Sequence, residues 1–289
     1  MLKAITWMLG TLLSFCLMAV AARELTGDLN AFQIMFFRSV LGLFIISLII
    51  LKTGKLHTFK TQRIRLHIVR NTFHFMGQYG WLVGISLLPL AEVFALEFTV
   101  PLWTAIIASL FLGEAITRRR MLAIVLGLVG VAIIVKPGIE VLSLASLTVL
   151  GAAFCYAISH TCTKSLSGTE DPLSILFLMC AIQLPLGLGF GLNNWVTPNS
   201  VEIVWLTAIG ITALSAHYCM TKAMQYADVS IVVIMDFLRL PAIGIIGILL
   251  YNEALDVSLL IGASIMLMGN LAAMAKVPKK KSKKVNVSQ

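Results

Sequence analysis

Two acids stand where acids are expensive. Glu97 lies in "EVFALEFTVPLW", residues 92–103, and Asp236 lies in "IVVIMDFLRLP", residues 231–241, each inside an otherwise apolar run. An ionised side chain at the centre of a membrane helix costs about 3 kcal/mol or more, so each carboxylate must face a watery cavity or a cation. Arg239 follows Asp236 at i+3, a spacing that places both on one helix face and predicts a mutual ion pair. Pro101 and Pro241 come about one helical turn after the acids, and each removes a backbone hydrogen bond. Such a break serves as a hinge, exposes a carbonyl to a ligand, or sets as a static kink. Glu92, at the outer end of the same run as Glu97, reads as a hydrated carboxylate near a helix N-terminus.

A second group of residues has hydrogen-bonding and stacking chemistry. His74, Gln78 and Trp81 fall on one stripe at i, i+4 and i+7, with Tyr79 beside them. His217 and Tyr218 repeat the positions of Gln78 and Tyr79 further along the chain. These groups suit a flat ligand with polar edges; they also suit hydrogen bonds between neighbouring helices. Trp103 and Phe98 offer stacking surface or packing, and Arg38 lies near the expected depth of Glu97, where it makes a salt bridge or an anion contact. The candidate binding set is therefore Glu97, Asp236, Arg239, His74, Gln78, Tyr79, Trp103, His217, Tyr218 and Arg38, with Pro101 and Pro241 as hinges. Glu114 and Glu253, in "GEAI" and "NEAL", read as helix-end residues of structural use, while Lys164 and Lys222 read as snorkelling anchors. Gly80 with Gly84, and Gly127 with Gly130, fit close helix contacts.

Catalytic constellations are missing. There is no GxxxxGK[ST] loop for a nucleotide and no HExxH, and the five histidines are scattered. An intramembrane enzyme would need a nucleophile with its base, or clustered metal ligands. Cys16, Cys155, Cys162, Cys180 and Cys219 all sit in apolar segments without a close CxxC pair, so they read as buried free thiols. No metal and no cofactor is expected.

The elements that must position these residues follow from composition. Of 289 residues, 59% are hydrophobic and 12% charged, and the mean hydropathy is +0.95, a mix that belongs in a bilayer. A crossing takes about 20 residues, so ten crossings use roughly 200. Apolar segments run over 4–22, 32–51, 67–88, 92–112, 120–136, 144–164, 172–192, 201–222, 228–250 and 257–275, separated by breaks such as "KPGIE" and "SGTEDP". Period-two alternation is absent, which excludes a barrel. Residues 1–22 also fit a cleaved signal peptide, with Lys3 ahead of the apolar run, and its removal would leave nine crossings.

Basic residues cluster after the second segment (Lys52, Lys55, Lys60, Arg63, Arg65), after the fourth (Arg118, Arg119, Arg120), and in the tail "KVPKKKSKK". With ten crossings these share one side, so both termini are expected in the cytoplasm. The net charge of +9 is then topology and contact with anionic lipid, not a nucleic-acid footprint.

The chain is also written twice. At an offset of 139 positions, Tyr79 meets Tyr218, Glu97-Phe98 meets Asp236-Phe237, and Glu114-Ala115 meets Glu253-Ala254. Five crossings per copy is an odd number, so the second copy enters the membrane inverted, the architecture of alternating-access carriers and of some channels. The expected units are residues 1–138, residues 139–275 and a basic tail, 276–289.

The strings "FQIMFFRS", "HIVRNTFHFMGQYGW", "LPLAEVFALEFTVPLWTAIIASLFLGEAIT" and "GLVGVAIIVKPG" resemble the drug/metabolite transporter superfamily, in its ten-helix EamA-type branch. The resemblance covers nearly the whole chain and is crisper in the first half. It implies an all-α membrane protein of two inverted five-helix repeats in a bacterial inner membrane, moving a small organic metabolite as a secondary carrier. Within the superfamily the chain is similar to bacterial uptake carriers for S-adenosylmethionine and riboflavin, and also to amino-acid exporters. The resemblance leaves open the substrate, the direction of transport and a homodimer.

Overall fold

Long runs of Leu, Ile, Ala and Val leave the backbone no partner but itself in hydrocarbon, and the chain answers with helices. The computed structural model describes residues 2–112, 118–135, 143–166, 169–226, 235–236, 238–254 and 256–274. The helices are α1 (Leu2–Leu25), α2 (Ala31–Thr53), α3 (Ile64–Leu87), α4 (Leu90–Glu97), α5 (Val100–Leu112) and α6 (Arg118–Val135). After them come α7 (Leu144–Leu166), α8 (Pro172–Gly191), α9 (Ser200–Tyr226), α10 (Arg239–Tyr251) and α11 (Val257–Met274). Among the described residues there is no strand. Five of the described helices, α1, α2, α7, α8 and α9, are long and apolar enough to cross a bilayer.

Local chemistry sets several ends. Asn30 accepts the Gln33 N–H at 2.9 Å to start α2, and Asp171 accepts the Leu173 N–H at 2.9 Å ahead of Pro172 to start α8. Gly54 closes α2 in the left-handed region at φ 68°, where a Cβ would be strained. Glu253 ties three elements together. It pairs with Arg23 of α1 at 2.9 Å and accepts the Leu90 N–H at 2.8 Å, while Arg23 also donates to the Leu88 carbonyl at 2.6 Å. That is the structural use expected of Glu253; Glu114 lies outside the described residues. Glu92, in the first turn of α4, accepts the Ser146 hydroxyl at 2.9 Å and is not simply hydrated.

The expected apolar segment 92–112 is two helices. α4 stops at Glu97 and α5 starts at Val100, with Phe98 and Thr99 between them. Thr99 turns its hydroxyl back onto the Leu96 carbonyl at 2.7 Å. Pro101 is then the second residue of a new helix, where a missing N–H costs nothing. Pro241 has the same standing as the third residue of α10. Both prolines begin helices instead of interrupting them. Most of the preceding stretch, 227–234, lies outside the described residues.

The helices pack in pairs: α1 on α9, α3 on α7, α2 on α8, and α6 on α11. Small residues decide the closest approaches. A Cβ on Gly80 would come 3.0 Å from Ala152, and one on Gly84 would collide with Val149, so this glycine pair seats α3 on α7. Gly130 seats α6 on α11, where a Cβ would lie 2.7 Å from the Gly262 carbonyl, whereas Gly127 faces Leu102 of α5. Large apolar residues such as Leu13, Phe44, Leu110 and Leu249 are exposed, while Arg38, Arg70, Asn71, His74, Gln183 and Arg239 are buried. The interior is mainly apolar, but it also buries these charged and polar groups while large apolar residues face outward, a distribution that suits lipid.

Candidate functional site: a charged cavity between the helices

Arg38, His74 and Arg239 are among the residues that line a cavity of about 270 Å³. Its lining comes from α1, α2, α3, α4, α5, α7, α9 and α10, together with Phe98 and Asp236. At one side, the end of α4 and the start of α10 bring both acids to a single cation. Arg239 Nη2 lies 3.1 Å from Asp236 Oδ2 and 3.5 Å from Glu97 Oε1. Glu97 Oε2 also accepts the Trp81 indole N–H at 3.0 Å. The guanidinium carbon lies 4.5 Å from the ring centre of Phe15, 5.0 Å from Phe94 and 5.1 Å from Phe98. Cation–π attraction reaches about 6 Å, so three rings hold the arginine besides two carboxylates.

Another polar cluster lies on the α2, α3 and α8 side. Arg38 donates from Nη2 to Gln183 Oε1 at 2.9 Å, and the Gln183 amide nitrogen meets His74 Nδ1 at 2.9 Å. Arg70 donates to Thr163 at 3.1 Å and to its neighbour Asn71. Rings bridge the two clusters. His74 lies 5.6 Å from Tyr156 and 6.5 Å from His217, and His217 lies 5.9 Å from Phe15, which faces Arg239.

Of the residues singled out by sequence, the structure brings Glu97, Asp236, Arg239, Arg38, His74, Gln78, His217 and Pro101 to the cavity wall. It does not bring Tyr79, Tyr218, Trp103 or Pro241 there. Successive helical residues are turned by about 100°, so Gln78 and His217 point inward and the tyrosines beside them do not. Tyr79 stacks on Phe32 at 4.6 Å. Tyr218 packs on Trp7 at 5.8 Å and is 52% exposed. Trp103 meets Phe154 edge-on at 5.7 Å. Arg38 turns to Gln183 and Arg239 is the cation beside Glu97, so of the salt bridge and the anion contact open to Arg38, the bridge to Glu97 is not formed.

Sequence reasoning missed Tyr156 and His160 of α7, Gln183 of α8, and Arg70 and Asn71 of α3. Each is a polar residue within an apolar stretch, the signal that exposed Glu97, and Tyr156 and His160 even share an i, i+4 stripe. Among the described residues, no group of three His, Cys, Asp or Glu could hold a metal ion.

Comparison with known proteins gives this cavity its context. The EamA-like transporter family matches twice, over residues 2–136 and 143–274. The chain is similar to an S-adenosylmethionine uptake transporter of Rickettsia bellii, at 28% identity over 97% of this chain and 96% of the relative. It is also similar to a riboflavin transporter of Vibrio cholerae, at 31% identity over 81% of this chain and 79% of the relative. A crystal structure of another protein shares the fold with a TM-score of 0.65 and 16% identity, over 94% of this chain and 96% of that one. The chain belongs to the EamA-like transporter family as a membrane transporter of small metabolites and not an enzyme.

Proposed function

We propose that this protein is a secondary carrier that takes up a cation-bearing, amino-acid-like metabolite of the S-adenosylmethionine type through the central cavity by alternating access. The observation that carries this reading is the sharing of Arg239 by Glu97 and Asp236. Two carboxylates and one guanidinium leave one negative charge in excess, in a place where bare charge is costly. A cationic group on the substrate answers it. The relatives named for S-adenosylmethionine uptake support that cation. Glu97, Asp236, Arg239, Arg38, His74, Gln78 and His217 would bind the substrate, and the break at residues 98–99 beside Pro101 would act as the hinge.

The same proposal includes the topology. Taking α4 and α5 as one broken crossing gives ten passages, arranged as two inverted repeats, 1–138 and 139–275. In support, α5 and α10 occur at an offset of 139 with 13 residues each, and α6 and α11 at the same offset with 18 each. The pairing of α1 with α9 mirrors that of α7 with α3. Both termini would face the cytoplasm from the bacterial inner membrane, an orientation supported by the side on which the basic loops gather. Riboflavin is a second reading, favoured by the rings of Phe15, Phe98 and Tyr156 in the wall. It leaves the excess charge unanswered.

Uptake into proteoliposomes tests this, with labelled S-adenosylmethionine, riboflavin and a panel of amino acids, with and without a pH gradient. S-adenosylmethionine should accumulate chemically unchanged, and Glu97→Gln or Asp236→Asn should slow it at least about tenfold. Transport indifferent to both substitutions would overturn the assignment of these acids.

A further inference from the structure

Arg38 and Arg70 are each more than nine-tenths buried, at 8% and 6% exposure. Among the described residues, neither has a carboxylate within ion-pair distance. Their hydrogen-bond partners are neutral: Gln183 for Arg38, and Thr163 and Asn71 for Arg70. Arg239, equally buried, has two acids, so this fold is able to supply counter-charges and on this side does not. Arg38 lines the cavity, and its Nε is buried with no hydrogen-bond partner. A guanidinium offers parallel N–H groups that match a carboxylate two by two, and here one such group stands unused.

We infer that the Arg38 side of the cavity is a carboxylate-binding pole. Arg38 would make the direct contact, Gln183 and His74 would hold its guanidinium in place, and Arg70 behind it would add positive potential. This rests on the carrier reading above and deepens it, because the substrate then lies across the cavity with its carboxylate at Arg38 and its cation toward Glu97 and Asp236. The belt of Tyr156, His74 and His217 lies between these ends. The cavity thereby selects a ligand that carries a carboxylate together with a cation, and it discriminates against the same molecule without the carboxylate.

The test measures binding to the purified full chain, by ligand-induced shifts in thermal unfolding and by competition for uptake. The probes are S-adenosylmethionine and its decarboxylated analogue, methionine and methioninamide, and inorganic phosphate. Each carboxylate should bind about 10- to 100-fold more tightly than its partner without one, the value of a charge-assisted hydrogen bond. Arg38→Gln should remove this preference, so that each carboxylate and its partner bind alike, and Arg38→Lys should keep part of it. Gln183→Glu supplies Arg38 with an internal carboxylate. It should raise the unfolding temperature while removing the preference, an outcome that a merely structural Arg38 would not give. Failure of S-adenosylmethionine alone to bind counts against the carrier reading, and the methionine pair still decides the pole. Equal affinity within the pairs that bind, phosphate binding in place of the carboxylates, or binding by no carboxylate overturns the inference.

Discussion

The cavity has two charged ends that solve the same problem in opposite ways. At the Arg239 end, opposite charges from different helices meet each other, and three phenylalanine rings close around the cation. At the Arg38 end, two arginines meet, among the described residues, neutral amides and hydroxyls. The first arrangement has its cation paired and one negative charge left over even when no ligand is present. The second is poorly compensated without one, because a buried charge answered by neutral dipoles retains much of its desolvation cost. The lesson is that burial alone does not separate a structural charge from a ligand-seeking one; the partners do.

The largest effect is expected from Arg239→Gln. It leaves Glu97 and Asp236 together without their cation, and breaking such a buried set costs about 3–5 kcal/mol. Thermal unfolding of the detergent-purified variant should show it, and adding Glu97→Gln to the same chain should recover part of the loss. Gln183→Leu is next, at about 1–3 kcal/mol, because Arg38 Nη2 and His74 Nδ1 lose their partner together. If its cost equalled that of Arg239→Gln, the contrast between the two ends would be false. Trp81→Phe removes one donor to Glu97 while Arg239 remains, and should cost about 1 kcal/mol with transport reduced but measurable. The smallest effect is expected from Tyr79→Phe and Tyr218→Phe, within about 0.5 kcal/mol of the parent and with uptake unchanged, since neither ring reaches the cavity. A tenfold loss of uptake in either would show that the wall extends beyond the residues described.

The paired end was the more legible of the two in the sequence. Asp236 and Arg239 announce each other by their spacing, and Glu97 stands out because acids are rare in apolar runs. The Arg38 end is assembled from α2, α3, α7 and α8 by neutral partners, and although Arg70 and His74 share an i, i+4 stripe on α3, no spacing within one helix announces contacts made between helices. Tyr79 and Tyr218 misled for a related reason: they adjoin inward-facing residues, and adjacency along a helix means a different face. The helical class and the recurrence at an offset of 139 were readable from composition and alignment of the chain with itself. The break at residues 98–99 was not placed, because a proline tells that a helix is disturbed nearby without telling which residue ends it.

One contact has a practical sequel. The Trp81 indole lies in the cavity wall with its N–H on a carboxylate, so its excited state senses the field of Glu97 and of whatever sits beside it. Protein emission therefore carries an intrinsic optical report of occupancy. Subtracting the spectrum of Trp81→Phe from that of the parent isolates it from the other four tryptophans. No attached dye is required, and loading of the carrier becomes visible in real time.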